Sequence, residues 1–321
     1  MMKVSTTITN ELLVRLNDEI ATQLVSQVPL VGEVARYTIG SGGKRLRPIL
    51  LLLTAGSLGY EDRRAVQLAT AIEFVHTATL LHDDVVDNSA VRRGMRTANE
   101  RFGNAAAVLV GDFLYSRAFQ IMVDVGESRV FRIMADATND ISEGEVLQLS
   151  NVKNVDLTVD SYFEMIRAKT ARLFEAAAML GGIVAGGGQE VISNFGKYGV
   201  HLGTAFQIVD DILDYDGDEG DIGKKLGDDL AEGKITLPMI HALEHGSSED
   251  IAKIQTAIFA DGTPDLDSVI DIFRRLESLG YSRQLAKLEI NSAEHSIASL
   301  PQSSYKECLI ELAENSLSRI K

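Results

Sequence analysis

Two acidic pentads stand inside apolar runs of helical spacing: Asp83-Asp84-Val85-Val86-Asp87, and Asp210-Asp211-Ile212-Leu213-Asp214. Ionised carboxylates are rarely buried unless they are paired or bound to metal, so any fold for this chain must bring cations to these six side chains. On an α-helix, positions i and i+4 project from nearly the same side. Asp83 with Asp87, and Asp210 with Asp214, therefore read as two-carboxylate claws, while Asp84 and Asp211 point aside. Hard oxygen donors suit Mg²⁺, which keeps several waters and bridges to phosphate oxygens. Two facing claws would hold a polyphosphate through such ions. A solvated acidic face is the plain alternative, but the flanking residues, Ile72 to Leu81 and Gly203 to Val209, are mostly apolar.

The rest of the chain reads as all-α. Apolar residues recur three and four apart, Ala, Leu and Glu are abundant, and there are five prolines, no tryptophan and few period-two runs. With 321 residues, 45% of them apolar, the chain can bury a large core. Spacing predicts helices from Asn10 through Leu24, Asp62 to Val86, Ala105 to Val123, Ser128 to Gln148, Thr158 to Gly182, Gln189 to Tyr215 and Leu237 to His245, with Pro48 early in a further one. No linker, low-complexity tract or repeat divides the sequence, so a single domain over 1–321 is expected, with residues 1–9 loose. Gly217 to Gly233, rich in glycine, acid and lysine, reads as a mobile loop beside the second claw. Its Asp214, Asp216 and Asp218 are spaced as in a calcium loop, but Glu219 and Lys225 stand where that loop needs Gly and a bidentate Glu.

A net charge of -15 opposes nucleic acid as a partner and requires local cations for any anionic substrate. The single Cys308 excludes an internal disulfide framework and fits a reducing compartment; no export signal is seen, and a cytoplasmic protein is expected. Pro48 to Leu58 and Ala176 to Gly188 are apolar but shorter than the ~20 residues a bilayer span needs. They read as buried helices.

Four basic groups accompany the carboxylates. Gly42-Gly43-Lys44-Arg45-Leu46-Arg47 is a glycine turn entering a helix, where free amides and side-chain cations make an anion site. Arg92-Arg93-Gly94 follows the first pentad, Lys169-Thr170 lies mid-helix, and Lys224-Lys225 with Lys234 lie in the glycine-rich segment. His76 is two turns before Asp83 on the same face, placed to donate to a second diphosphate. The pair His82-Asp83 also resembles the paired ligands of HD-type metal phosphohydrolases, but such sites need further His and Asp ligands elsewhere, and that reading leaves the doubled Asp pentad unexplained.

In this order the motifs, from Gly42 to Pro238, resemble the trans-polyprenyl diphosphate synthases, most closely the bacterial octaprenyl type, through His76-Thr-Ala-Thr-Leu-Leu-His-Asp-Asp84 and Glu143-Gly-Glu-Val-Leu-Gln-Leu149. The resemblance implies an antiparallel helical bundle around a deep central cavity, usually a homodimer, that adds isopentenyl diphosphate to an allylic diphosphate such as farnesyl diphosphate with Mg²⁺. It assigns Asp83, Asp87 and Asp210 as principal metal contacts, supported by Asp84, Asp211 and Asp214. Arg92, Lys169, Thr170, Gln207 and Lys224 would hold the allylic diphosphate, with Phe206 facing the cation. Gly43, Lys44, Arg47, His76 and Arg93 would hold isopentenyl diphosphate. Ala78 and Thr79, the fifth and fourth residues before Asp83, are small where short-chain relatives place bulk, which implies a long product, expected to be octaprenyl diphosphate for quinone side chains. A lipid product would also allow weak membrane association. A shorter-chain synthase, a class I terpene cyclase and a non-catalytic partner subunit are the alternatives. The basic residues of the second diphosphate site and the completeness of both pentads argue against the last two.

Overall fold

The computed structural model describes residues 4–216, 226–260 and 262–318. Regular structure within them is helical apart from one two-residue hairpin: α1 Val4–Gln23, α2 Pro29–Gly40, α3 Leu46–Ser57, α4 Arg63–Val86, strands β1 Val91–Arg92 and β2 Met95–Arg96, α5 Ala98–Phe102, α6 Asn104–Val125, α7 Ser128–Ser150, α8 Val159–Ile166, a π turn over Arg167–Ala171, α9 Arg172–Val184, α10 Gln189–Asp216, and further helices up to Leu317. The all-α expectation therefore holds. Contacts gather the chain into two compact units, each assembled from three separate segments.

The first unit comprises 1–137, 173–199 and 296–312. Its centre is α4. Asp62 caps that helix by accepting from the Arg64 amide at 2.9 Å, and its last turn closes with the Asp87 amide donating to the Asp83 carbonyl at 2.8 Å. The bond keeps Asp83 and Asp87 in helical register although Asp87 is the capping residue. Helix α3 is buried without interruption from Pro48 to Gly56. Each of Leu50 to Leu53 is at most 4% exposed, and full burial of a leucine is worth roughly 1.5–3 kcal/mol. This is one of the apolar stretches expected to be interior. The other, Ala176 to Gly188, is also interior over most of α9. Helix α6 has the length and composition to cross a membrane, but it buries Ala107, Val110, Gly111, Leu114, Ala118, Ile121 and Met122 at helical spacing, as a core helix does.

The second unit comprises 138–172, 200–295 and 313–321. Its core gathers Tyr162 and Met165 of α8, Ile208, Val209 and Ile212 of α10, and Leu237, Met239, Val269 and Phe273 of later helices. In both units the buried residues on a pentad-bearing helix fix which carboxylates turn inward.

Several predicted boundaries match closely: Leu237–His245 is reproduced, and α4, α6, α7 and α10 differ by a residue or two. Others do not. Helix α1 takes in residues 4–9, expected to be loose, and the single helix expected over 158–182 is broken by the π turn. The hairpin was not expected. Its two central residues, Arg93 at φ +54° and Gly94 at φ +72°, match a primed hairpin turn, for which Arg-Gly is a weaker signal than Asn-Gly. Within the expected loop over 217–233, residues 217–225 lie outside the described chain. Residues Asp228–Ala231 form a short helix, entered through Gly227 at φ +77°.

Helices α3 and α9 approach within backbone contact at Gly181, where a Cβ would lie 2.0 Å from Thr54 Oγ1 and 2.3 Å from the Leu51 carbonyl oxygen. Gly181→Ala is expected to destabilise the protein by about 1–3 kcal/mol through overpacking. Denaturant unfolding of the variant checks this, and unchanged stability would contradict the close approach.

Candidate functional site

The first pentad divides its carboxylates by role. Asp83 and Asp87 are half-buried on the last turn of α4. Asp84 is 3% exposed and accepts from Arg92, whose Nε lies 2.9 Å and Nη2 2.8 Å from one oxygen. The middle aspartate thus fastens the hairpin to α4. Breaking a buried pair by removing one partner leaves an uncompensated charge, at a cost of about 3–5 kcal/mol.

A basic corner lies in the same unit, where the chain turns into α3. Arg45 takes φ +48° at the helix N-cap and turns its guanidinium inward to the buried Glu73 carboxylate and to the Ile39 carbonyl at 2.5 Å. Burial pushes the Glu73 carboxyl up, against the pull of Arg45. Arg45 is therefore structural, and the sequence signal for it was Glu73, an acid in the buried face of an apolar helix. Its neighbour Arg47 stacks 4.4 Å over Phe174 and lies 3.2 Å from His76 Nε2. A guanidinium has no acceptor, so Nε2 accepts and the His76 proton sits on Nδ1. Burial, with Arg47, Arg93 and Arg92 nearby, holds the His76 pKa well below the ordinary imidazole range. Arg93 lies against Gly43: a Cβ there would stand 2.8 Å from its Nη1. Lys44 and Arg93 are exposed. Donors from Gly43, Lys44, Arg47, His76 and Arg93 are thus gathered at one helix N-terminus, where backbone amides add to them.

The second pentad, on α10, repeats the division. Asp210 is exposed and Asp214 half-buried, while Asp211 is 3% exposed. Tyr162 Oη donates to Asp211 Oδ2 at 2.5 Å and Gln207 Nε2 to Oδ1 at 2.7 Å; Thr170 Oγ1 donates to Gln207 Oε1 at 2.8 Å. Thr170, Gln207, Asp211 and Tyr162 form one line of donors and acceptors. Burial, then the charge of Asp229, pushes the Asp211 carboxyl well up despite the bonds from Tyr162 and Gln207. Asp214 Oδ2 accepts from the Asp229 amide at 3.1 Å, and the Asp214 carbonyl from the Gly227 amide at 2.8 Å. Tyr162 and Asp229 were missed in the sequence. Tyr162 sits in a core helix pattern, and Asp229 lies in a segment expected to be a loop.

Lys169 Nζ donates to Glu145 Oε2 and Gln148 Oε1, each at 2.6 Å. Phe206 is half-buried. Lys224 lies outside the described residues; Lys234 pairs with Glu232 at 2.6 Å. On α4, Ala78 is fully buried, and Thr79 donates to the His76 carbonyl at 2.9 Å.

Among the described residues no three His, Cys, Asp or Glu side chains converge as a ready metal cage. The donor set is wholly carboxylate, the ligand type that hard divalent cations take.

The chain matches the polyprenyl synthetase family model over residues 28–275. It is 48% identical to the octaprenyl diphosphate synthase of Haemophilus influenzae over 306 residues, covering 95% of this chain and 93% of that one. Among solved structures, a decaprenyl diphosphate synthase from Rhodobacter capsulatus superposes with a TM-score of 0.92 at 41% identity, covering 99% and 98% of the two chains. A polyprenyl synthase from Caulobacter crescentus complexed with calcium and isoprenyl diphosphate gives 0.94 at 37% identity, covering 99% and 97%. The all-α fold is that of the isoprenoid synthases.

His76 is expected to remain a neutral, Nδ1-protonated imidazole as the pH falls through 6.5, followed by ¹⁵N-edited NMR of the ring. Because the folded group binds fewer protons than the unfolded one, its contribution to stability is complete above about pH 6.5 and is lost as pH falls below it. A ring that titrates at 6.5 or above would contradict the burial and the arginine neighbours.

Proposed function

The chain belongs to the polyprenyl synthetase family and is a prenyltransferase, and from that premise we propose that it builds octaprenyl diphosphate by successive condensation of isopentenyl diphosphate onto an allylic diphosphate such as farnesyl diphosphate. The observation that carries the reading is the shared construction of the two pentads. In each, the middle aspartate is tied inward by protein donors, while the outer pair remains half-buried or exposed at the helix edge.

In this reading Asp83, Asp87 and Asp210 hold Mg²⁺, with Asp84, Asp211 and Asp214 behind them. The ions, when bound, supply the positive charge that stabilises a departing pyrophosphate. Arg92, Lys169, Thr170, Gln207 and Lys224 bind the allylic diphosphate. Thr170 and Gln207 are already held in line by Asp211, so little ordering is left to binding. Gly43, Lys44, Arg47, His76 and Arg93 bind isopentenyl diphosphate. The neutral His76 brings a donor without adding to the repulsion among Arg47, Arg92 and Arg93.

Chemically, the allylic carbon–oxygen bond breaks, and the double bond of isopentenyl diphosphate attacks the resulting carbocation. Loss of one proton then restores a double bond, five carbons further along. No side chain is assigned as the base, and the released pyrophosphate can take the proton. Phe206 would face the cation with its ring. The basic corner around Arg47 and His76 favours this reading over a cyclase, which has no second diphosphate to hold. Product length rests on Ala78 and Thr79, small residues on α4 before the claw, and on similarity to long-chain synthases.

Incubation with farnesyl diphosphate, labelled isopentenyl diphosphate and Mg²⁺ is expected to give a ladder ending at about forty carbons that chelator abolishes. Asp83→Ala is expected to lower kcat/KM by at least about a hundredfold, and Ala78→Phe to shorten the products. Wild-type products stopping at fifteen or twenty carbons would sink the length assignment. No incorporation with any allylic primer would sink the activity.

A further inference from the structure

Lys169 is placed by an irregular piece of chain. Helix α8 ends at Ile166, and one π turn, Arg167–Ala171, precedes α9. Such a turn carries an extra residue and rotates the side chains beyond it relative to those before it; π turns inside helices recur at functional sites. No proline or glycine occurs between Thr158 and Leu180, so no helix-breaking residue lies at the π turn.

A close contact from α7 lies against the irregular turn. A Cβ on Gly144 would lie 2.6 Å from the Lys169 backbone nitrogen and 3.0 Å from both Ala168 C and Ala168 Cβ. Contact with a backbone nitrogen differs from contact with a side-chain tip, because the backbone cannot swing aside. The next residue, Glu145, accepts from Lys169 Nζ, and Gln148, one turn further along α7, accepts from the same ammonium. Both distances are 2.6 Å, short as charge-assisted bonds are. The Lys169 and Glu145 side chains are 21% and 29% exposed, so the pair is only partly screened by water.

We propose that Gly144, Glu145 and Gln148 are positioning residues for Lys169, fixing the π turn and holding two of its three ammonium protons so that the third is directed at the allylic diphosphate, a role that rests on the condensation activity proposed above. A lysine ammonium is a mobile point charge on four methylenes, and alone it defines no direction. Two acceptors on one rigid helix supply that direction. Glu145 supplies charge as well: it offsets Lys169 while the site is empty, and weakens the hold on pyrophosphate when that product must leave.

Orientation and charge separate in the variants. Glu145→Ala removes the acceptor and the charge, whereas Glu145→Gln keeps an acceptor at the same reach. If Lys169 is positioned, kcat falls about tenfold or more in E145A and stays within about threefold of wild type in E145Q. The KM for the allylic substrate falls in E145Q, because Lys169 is no longer offset. The KM for isopentenyl diphosphate stays unchanged in both, since Arg47, His76 and Arg93 are untouched. Gly144→Ala should lower kcat as E145A does. Gly196→Ala, whose Cβ would meet the Met179 side chain at 3.2 Å, serves as the packing control with full activity. The Glu145 pair carries the test even if G144A does not fold.

Equal losses in E145A and E145Q, or a KM for isopentenyl diphosphate that moves as far as that for the allylic substrate, would overturn the proposal. Wild-type turnover with E145A unaltered removes this role alone. A wild-type chain that condenses nothing removes the proposed activity and this role together.

Discussion

A carboxylate taken out of water must be met by a donor or a cation, and each pentad carries one carboxylate that the helix turns inward. Asp84 meets a guanidinium, and Asp211 meets a phenol and an amide. Once those partners are in place the rotation of each helix end is fixed, and with it the direction of the outer pair. The pentads are therefore not six equivalent ligands in two groups. One aspartate in three sets the angle at which the other two are offered, and it takes its hydrogen-bond partners from the protein.

The basic side chains divide their roles in a similar way. Among consecutive cations at the entrance to α3, Arg45 is turned into the core by Glu73, which leaves Lys44 and Arg47 for the outside and for His76. Burial, and then four arginines close by, favour the neutral form of one imidazole. That neutrality matters in a protein whose net charge is -15 yet which must gather anions: the local field is built by a few placed guanidiniums, and a further cation among them would add repulsion without a new direction of hydrogen bonding.

Helix identity and the pentads were legible because both depend on short-range periodicity, and α4 and the helix Leu237–His245 were bounded by local signals, an Asp cap in one and a Thr-Leu-Pro entry in the other. What escaped was set by contacts distant in sequence. Arg45 read as one more cation of the anion site until Glu73, 28 residues on, claimed it. Tyr162 looked like core until Asp211 lay against its hydroxyl. The π turn has no signature in its own residues, and the glycine packed against it lies on another helix, 25 residues before Lys169 in the chain. The start of α1 was missed for a different reason: Thr6, Thr7 and Thr9 are weak helix formers, and propensity yields to the packing of Leu12, Leu16 and Ile20 behind them.

Glycine is usually read in a sequence as a turn. In this fold its more consequential use is inside helices. Gly181 lets α9 touch the backbone of α3, Gly111 makes room for the His82 ring, and Gly144 presses α7 onto the chain at Lys169. A helical glycine weakens its own helix by up to about 1 kcal/mol, so its presence at three such contacts is explained by what the missing Cβ permits. At Gly181 the gain is packing. At Gly144 the proposed gain is the placing of a charge: the Lys169 backbone nitrogen stands where a Cβ on that glycine would crowd it, and Glu145 and Gln148 hold the Lys169 ammonium from the same helix as the glycine.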